Sequence, residues 1–287
     1  MKYLLLKKKF GTNKIEQACE VNVTLPVLDM CFCEDEILFL SGDHIGHIDI
    51  KTKKTLFPWL GKFNNPSSLC YRGKFCFIAE NSGRDIKSLE LSSKYIEDGL
   101  KGVATKKQID LYFSKVSGNK NDETSIVIAE DETLYWTSGL INRCFRYKSG
   151  TLDVLIGNGR TGYALSNAPR NSIISNPSGV ATYKDFVYVC DGNHCIRKVT
   201  DKEDCLVAGH PLSIGDKDGK IGISLLSQPT KIKSAQNIAY FIDCGKVKTL
   251  SFPDHVITTI AKMENVKAIT TDQSNNLYAL EEDIHEK

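Results

Sequence analysis

Six stretches of the chain carry one internal spacing, and that regularity limits the possible folds more than any single motif. Pro66 to Glu80, Pro177 to Asp191 and Pro229 to Asp243 are each a step of fourteen residues, with two short apolar runs and an acid at the end. Val27 to Ser41, Thr124 to Ser138 and Lys267 to Glu281 hold the same step. The clearest copy reads Asn-Pro-Ser-Gly-Val (Asn176–Val180), Phe-Val-Tyr-Val-Cys-Asp (Phe186–Asp191) and Asn-His-Cys-Ile-Arg-Lys-Val (Asn193–Val199). A unit of roughly 40–50 residues built from short strands cannot bury its faces alone and must stack on its siblings. The expected architecture is all-β: a six-bladed β-propeller of four-stranded antiparallel blades.

In the copy opening at Pro177 the spacing predicts strand a at Gly179–Tyr183, b at Phe186–Cys190, c at Cys195–Val199 and d at Asp204–Ala208. Turn residues punctuate these runs, Asp191-Gly192-Asn193 between b and c and Thr200–Glu203 between c and d. The sixth copy stops after strand b, whereas two spare strands, Lys2–Lys7 and Ile15–Val23, precede the first copy. They are expected to complete the last blade as c and d, which closes the ring and removes exposed strand edges. The whole chain, 1–287, thus reads as one domain, with closing strands in 1–23 and an insertion at 92–106 between strands c and d of the second blade. Within it, Ser92–Leu100 has the pattern of a helical turn and is a candidate docking element.

Composition narrows the partners. A formal net charge of +2 over 287 residues gives no field that would steer the chain to DNA or an anionic membrane. Thirty lysines to seven arginines is a poor balance for bidentate phosphate or base recognition. No apolar run approaches the length of about 18 residues that spans a bilayer. The apolar centre of the first nine residues is too short for a signal peptide, so a cytoplasmic location is expected. Cys76, Cys144, Cys190, Cys195 and Cys205 fall where sibling repeats carry Val, Ile or Phe, so the ten cysteines read as small hydrophobes, not disulfides. Cys31 and Cys33 lie on one strand face without a second pair at zinc spacing.

The quoted blade, together with Val207-Ala208-Gly209 and the glycine-rich connectors Gly157–Gly162 and Gly209–Gly219, resembles the NHL repeat. The likeness is specific over 150–250 and rests on register towards both ends. It implies a six-bladed propeller in a family of protein-interaction hubs, RNA binders, lyases, lactonases and synthases, so fold alone does not choose a function.

Meander topology sends the d-to-a connectors (Gly157–Asn176, Gly209–Gln228) and the b-to-c turns to one rim, where a site is expected. The binding residues expected there are Arg160, Tyr163, Arg170, His194, His210 and Lys217, with Tyr163 able to stack on a base. His44, His194 and His210 map to the same rim and, if convergent, would form a metal site as in the lyase relatives. Against that, Asn-His-x-Ile-Arg is an ordinary turn of this repeat. Glu80, Asp191, Asp243 and Glu281 end their b strands and offer either divalent-ion or acid–base chemistry, as in the lactonase relatives, or caps for the following turn. Because Ser41 and Ser138 occupy the same position in two blades, the capping role is favoured. Asp216-Lys217-Asp218-Gly219 mimics the start of a calcium loop but lacks its later ligands. No cofactor is called for. The leading expectation is a non-enzymatic scaffold with a protein partner; the alternatives are a metal-dependent hydrolase or lyase and a single-stranded RNA binder.

Overall fold

The computed structural model describes residues 1–60, 63–91, 101–102, 124–260 and 263–283. Its strands form six separate four-stranded antiparallel sheets, so the fold is a six-bladed β-propeller. Blade 4 holds Gly179–Tyr183, Phe186–Asp191, Cys195–Val199 and Asp204–Gly209 in simple meander order. Two of its strands end one residue later than the spacing predicts, because Asp191 pairs with Cys195 and Gly209 with the same cysteine on its other side.

The ring closes as the repeat pattern requires. Lys2–Lys8 and Ile15–Asn22 lie outside Leu277–Glu282 and Val266–Thr271, giving blade 6 its third and fourth strands. Leu5 pairs with Leu280 and Lys7 with Tyr278 across the seam. Two further bonds fasten the start of the chain: the amino terminus donates to the Val23 carbonyl at 2.7 Å, and the Val27 amide donates to the Tyr3 hydroxyl at 3.2 Å.

β-branched and aromatic side chains dominate the b strands because both faces of a blade are covered by its neighbours. Six apolar clusters follow, one between each pair of adjacent blades among the described residues. Tyr3, Leu5 and Val21 of the closing strands pack with Met30 and Phe39 of blade 1, so closure joins cores as well as edges. The free thiols behave as packing groups: Cys76, Cys144, Cys190 and Cys195 are fully buried, and burial pushes the Cys144 and Cys190 thiols far up.

The first strands stand around the axis, each touching the next. In blades 1, 2, 5 and 6 strand a breaks register one or two residues after its start, between Val27/Asp29, Pro66/Ser68, Thr230/Lys233 and Val266/Ala268. Leu28, Ser67, Lys231 and Lys267 occupy these bulges and line the mouth of the axial channel. In blade 2, Lys101–Gly102 pairs with Asp85–Glu90 as the fourth strand and so falls within the segment read as an insertion. The expected helical turn Ser92–Leu100 lies outside the described residues.

Candidate functional site

The rim is built by a repeated backbone device. Gly209 ends strand d of blade 4 and Gly157 directly follows that of blade 3 (Thr151–Ile156), with φ of +78° and +101°, and a Cβ on either would lie 2.2 Å from the carbonyl of His194 or Asn142. Only glycine fits at this point. The chain then runs out over the rim and returns to the next strand a. Connector 209–228 is ordered, not slack. Lys217 and Leu225 exchange backbone hydrogen bonds, and so do Gly219 and Ile257. Asp216 bonds Lys246 at 2.8 Å and Lys248 at 2.5 Å; Asp218 accepts from the Thr259 amide at 2.7 Å. The two lysines hold the Asp216 carboxyl down to about 2. The calcium-like tetrad is therefore a lysine clasp.

Held in this way, the connector aims aliphatic side chains outward. Leu212 is 86% exposed, Ile214 65%, Ile223 54% and Ile221 49%, and Leu165 on the neighbouring connector is 47% exposed. Exposed aliphatic clusters on ordered backbone mark binding surfaces more often than isolated apolar residues do. On the two connectors Asp216 and Asp218 are paired with Lys246 and Lys248, while the exposed Lys217, Lys220, Arg160 and Arg170 form no ion pair with the described residues.

The strand-end residues act as clamps on connectors. Asp191 Oδ1 accepts from the Ser175 and Asn193 amides, both at 3.0 Å. Asp243 Oδ1 accepts from Ser227 at 2.9 Å and Gln228 at 2.7 Å, and Glu281 Oε1 from Glu264 at 2.9 Å. Ser41 Oγ donates to the Leu25 carbonyl at 2.8 Å. The expected cap on the following turn is present at Asp191, which takes both the amide and the side-chain amide of Asn193; Asp243, Glu281 and Ser41 instead bind the segment that arrives some sixteen residues earlier, as Asp191 also does through Ser175. Glu80 instead pairs with Lys87 at 2.9 Å. Burial pushes the Glu80, Asp191 and Asp243 carboxyls up.

Blade 4 adds a buried Arg197, which bonds Asp191 at 2.7 Å and Asp204 at 2.6 Å and donates to the carbonyls of Ala164 and Ile173. Its guanidinium lies 4.3 Å from the Tyr163 ring centre. That face of Tyr163 is covered, so its structural job is to seat connector 157–176. His194 binds the Ser227 carbonyl through Nδ1, and His210 Nδ1 accepts from the Leu212 amide at 3.2 Å. His44 faces Asp43. Among the described residues no three His, Cys, Asp or Glu side chains group so as to hold a metal, so neither the three histidines nor Glu80, Asp191 and Asp243 are brought together. Arg160, Arg170, His210 and Lys217 lie exposed on the rim, and Arg160 donates its amide to Asn158.

Two large cavities open at the axis. The one on the a-to-b face, about 800 Å³, carries two ion pairs on its wall, Lys148 with Asp131 and Arg146 with Asp201, beside Arg72, Glu130, Lys184 and Asp185. The rim-side cavity, about 680 Å³, is walled by Leu25, Leu28, Phe63 and Ser67 with Lys231 and Lys267. Below it the buried Asp29 accepts from the Ser68 hydroxyl and the Leu69 amide, with Lys233 at 3.7 Å. None of the six binding residues expected from sequence lines either cavity. The axial polar set was legible only as charge inside apolar runs: Asp29 in Val27–Cys33, and two lysines in Pro229–Ala235 where blade 4 reads Pro-Ser-Gly-Val-Ala.

Fold and rim together define a six-bladed propeller with a built-up connector face. No protein-family model matches the chain, and no curated protein sequence does. Solved structures match over nearly its whole length. An auxiliary nutrient binding protein from Bacteroides thetaiotaomicron aligns with a TM-score of 0.63 at 12% identity, over 98% of this chain and 78% of that one. Virginiamycin B lyase from Staphylococcus aureus gives 0.54 at 16%, over 94% and 85%. A gluconolactonase from Xanthomonas campestris gives 0.55 at 11%, over 89% and 85%. At such identities the likeness is one of fold.

Proposed function

We propose that the chain is a non-enzymatic interaction scaffold that docks a protein partner on the connector face of one rim. The observation that carries this reading is the set of exposed aliphatics Leu212, Ile214, Ile221 and Ile223 on one connector pinned by hydrogen bonds and a lysine clasp. Rigid backbone lowers the ordering cost of association, and apolar side chains supply its driving force. Because the unpaired neighbours are cations, the fitting partner is a protein segment with an apolar face and acidic flanks. The NHL-like repeats support the reading, since that family includes interaction hubs.

RNA would need stacking faces and a strongly basic groove. This surface offers aliphatics, and one face of Tyr163 is taken by Arg197. Two of the similar folds are enzymes by name, yet the ligand sets that the enzyme reading required are not assembled among the described residues. The test is a Leu212→Asp, Ile223→Asp double variant. It should keep its melting temperature, as surface changes usually stay within about 0.5 kcal/mol, and should lose the partner that the wild type binds. Undiminished binding of that partner by the variant would remove the proposal.

A further inference from the structure

Three cations are buried among the described residues, and two have acids. Arg197 has Asp191 and Asp204; Lys248 has Asp216 and Asp218. The third, Lys231, is 7% exposed, and its ammonium makes one hydrogen bond, to the neutral Ser67 carbonyl at 3.4 Å. No carboxylate of the described residues lies within ion-pair distance of it. Burying an ammonium without a counter-charge is costly. The backbone adds a second cost: Lys231 has φ of +52°, in a bulge where the strand skips register. Strain and an uncompensated charge at one residue, on the wall of a cavity, are features that persist when a ligand completes the site.

The rest of the wall says what that ligand is. Lys267, the other lysine, is already paired with Glu282 at 3.2 Å. Asp43 stands at the mouth and would repel a polyanion. One positive charge is therefore left to satisfy. The same wall carries Leu25, Leu28 and Phe63, which suit a hydrocarbon or aryl body, and a volume of about 680 Å³ admits a small molecule. We infer that the rim-side mouth of the channel binds a small monocarboxylate with an apolar body, and that Lys231 takes its carboxylate. This site is separate from the connector cluster and does not rest on the scaffold reading.

The test is calorimetric titration of the full chain with benzoate and hexanoate, their neutral counterparts benzamide and hexanamide, and inorganic phosphate. Saturable one-to-one binding of the carboxylates is expected, with the amides and phosphate weaker by about tenfold or more, since a charge-assisted bond is lost or a second charge repelled. Lys231→Met should bind the carboxylates at least about tenfold more weakly while melting no lower than wild type, because an unpaired buried charge has been removed; Lys231→Arg should retain binding. Three results would each overturn the inference: no saturable binding by the wild type, amides binding as well as carboxylates, or undiminished affinity in Lys231→Met. A Lys231→Met protein that melts lower or fails to fold would mark the lysine as a structural strut to Ser67 and would also overturn it.

Discussion

Arg197 shows how one side chain shapes the rim. It is wholly buried between Asp191 and Asp204 and holds two carbonyls of connector 157–176. Arg197→Met should leave two buried carboxylates uncompensated and cost about 3–5 kcal/mol, read as a lower denaturant midpoint; a loss below about 1 kcal/mol would mean that the network is not structural. Asp216 is the pH-sensitive member of the connector clasp. Its carboxyl is held down to about 2 by Lys246 and Lys248. A depressed folded value contributes stability that is complete above the ordinary value of 3.8 and is lost as pH falls through about 2. Carboxyl-carbon NMR should show Asp216 titrating near 2, and titration near 3.8 would show the clasp to be absent. At this scale the sequence was least informative. His44, His194 and His210 drew attention by residue type, yet each meets a partner of its own, whereas Lys231 is distinguished by the lack of an acid among the described residues, which spacing cannot show.

The strands were the legible elements. Strand a of blade 4 occupies Gly179–Tyr183 and strand c Cys195–Val199, as the spacing predicts, because apolar runs bounded by turn residues leave little choice of pairing. The connectors were legible in length and glycine content but not in side-chain use. That the strand-end acids grip the arriving connector follows from the antiparallel pairing of strands a and b within one blade, which sets the end of b beside the entry to a. Glycine at the end of strand d has a local requirement. Gly209→Ala would place a Cβ 2.2 Å from the His194 carbonyl at φ +78°, so a loss of more than about 1 kcal/mol is expected from denaturant unfolding. An unchanged midpoint would show the rim backbone to be free to shift.

Closure belongs to the whole molecule. Its seam pairs Lys2–Lys8 with Leu277–Glu282 and carries Tyr3, Leu5 and Val21 into the blade 1 core. Removing residues 1–23 should bare the edge of Leu277–Glu282 and abolish a single cooperative melting transition; a truncated chain that melts as the full one does would contradict the role of the seam. The repeat register made the ring foreseeable from residues, whereas the functional face is harder to foresee, since it depends on which side chains the connectors leave exposed and the repeat spacing does not encode that. The scaffold reading therefore turns on what touches those side chains. A benzophenone photo-crosslinker placed at position 214, with a control at position 53 on the opposite face, measures this directly. Cross-linking of one protein from 214 and not from 53, reproduced with the two purified proteins, is the expected result. Equal cross-linking from both positions, or adducts from 214 to nucleic acid alone, would contradict the proposed rim.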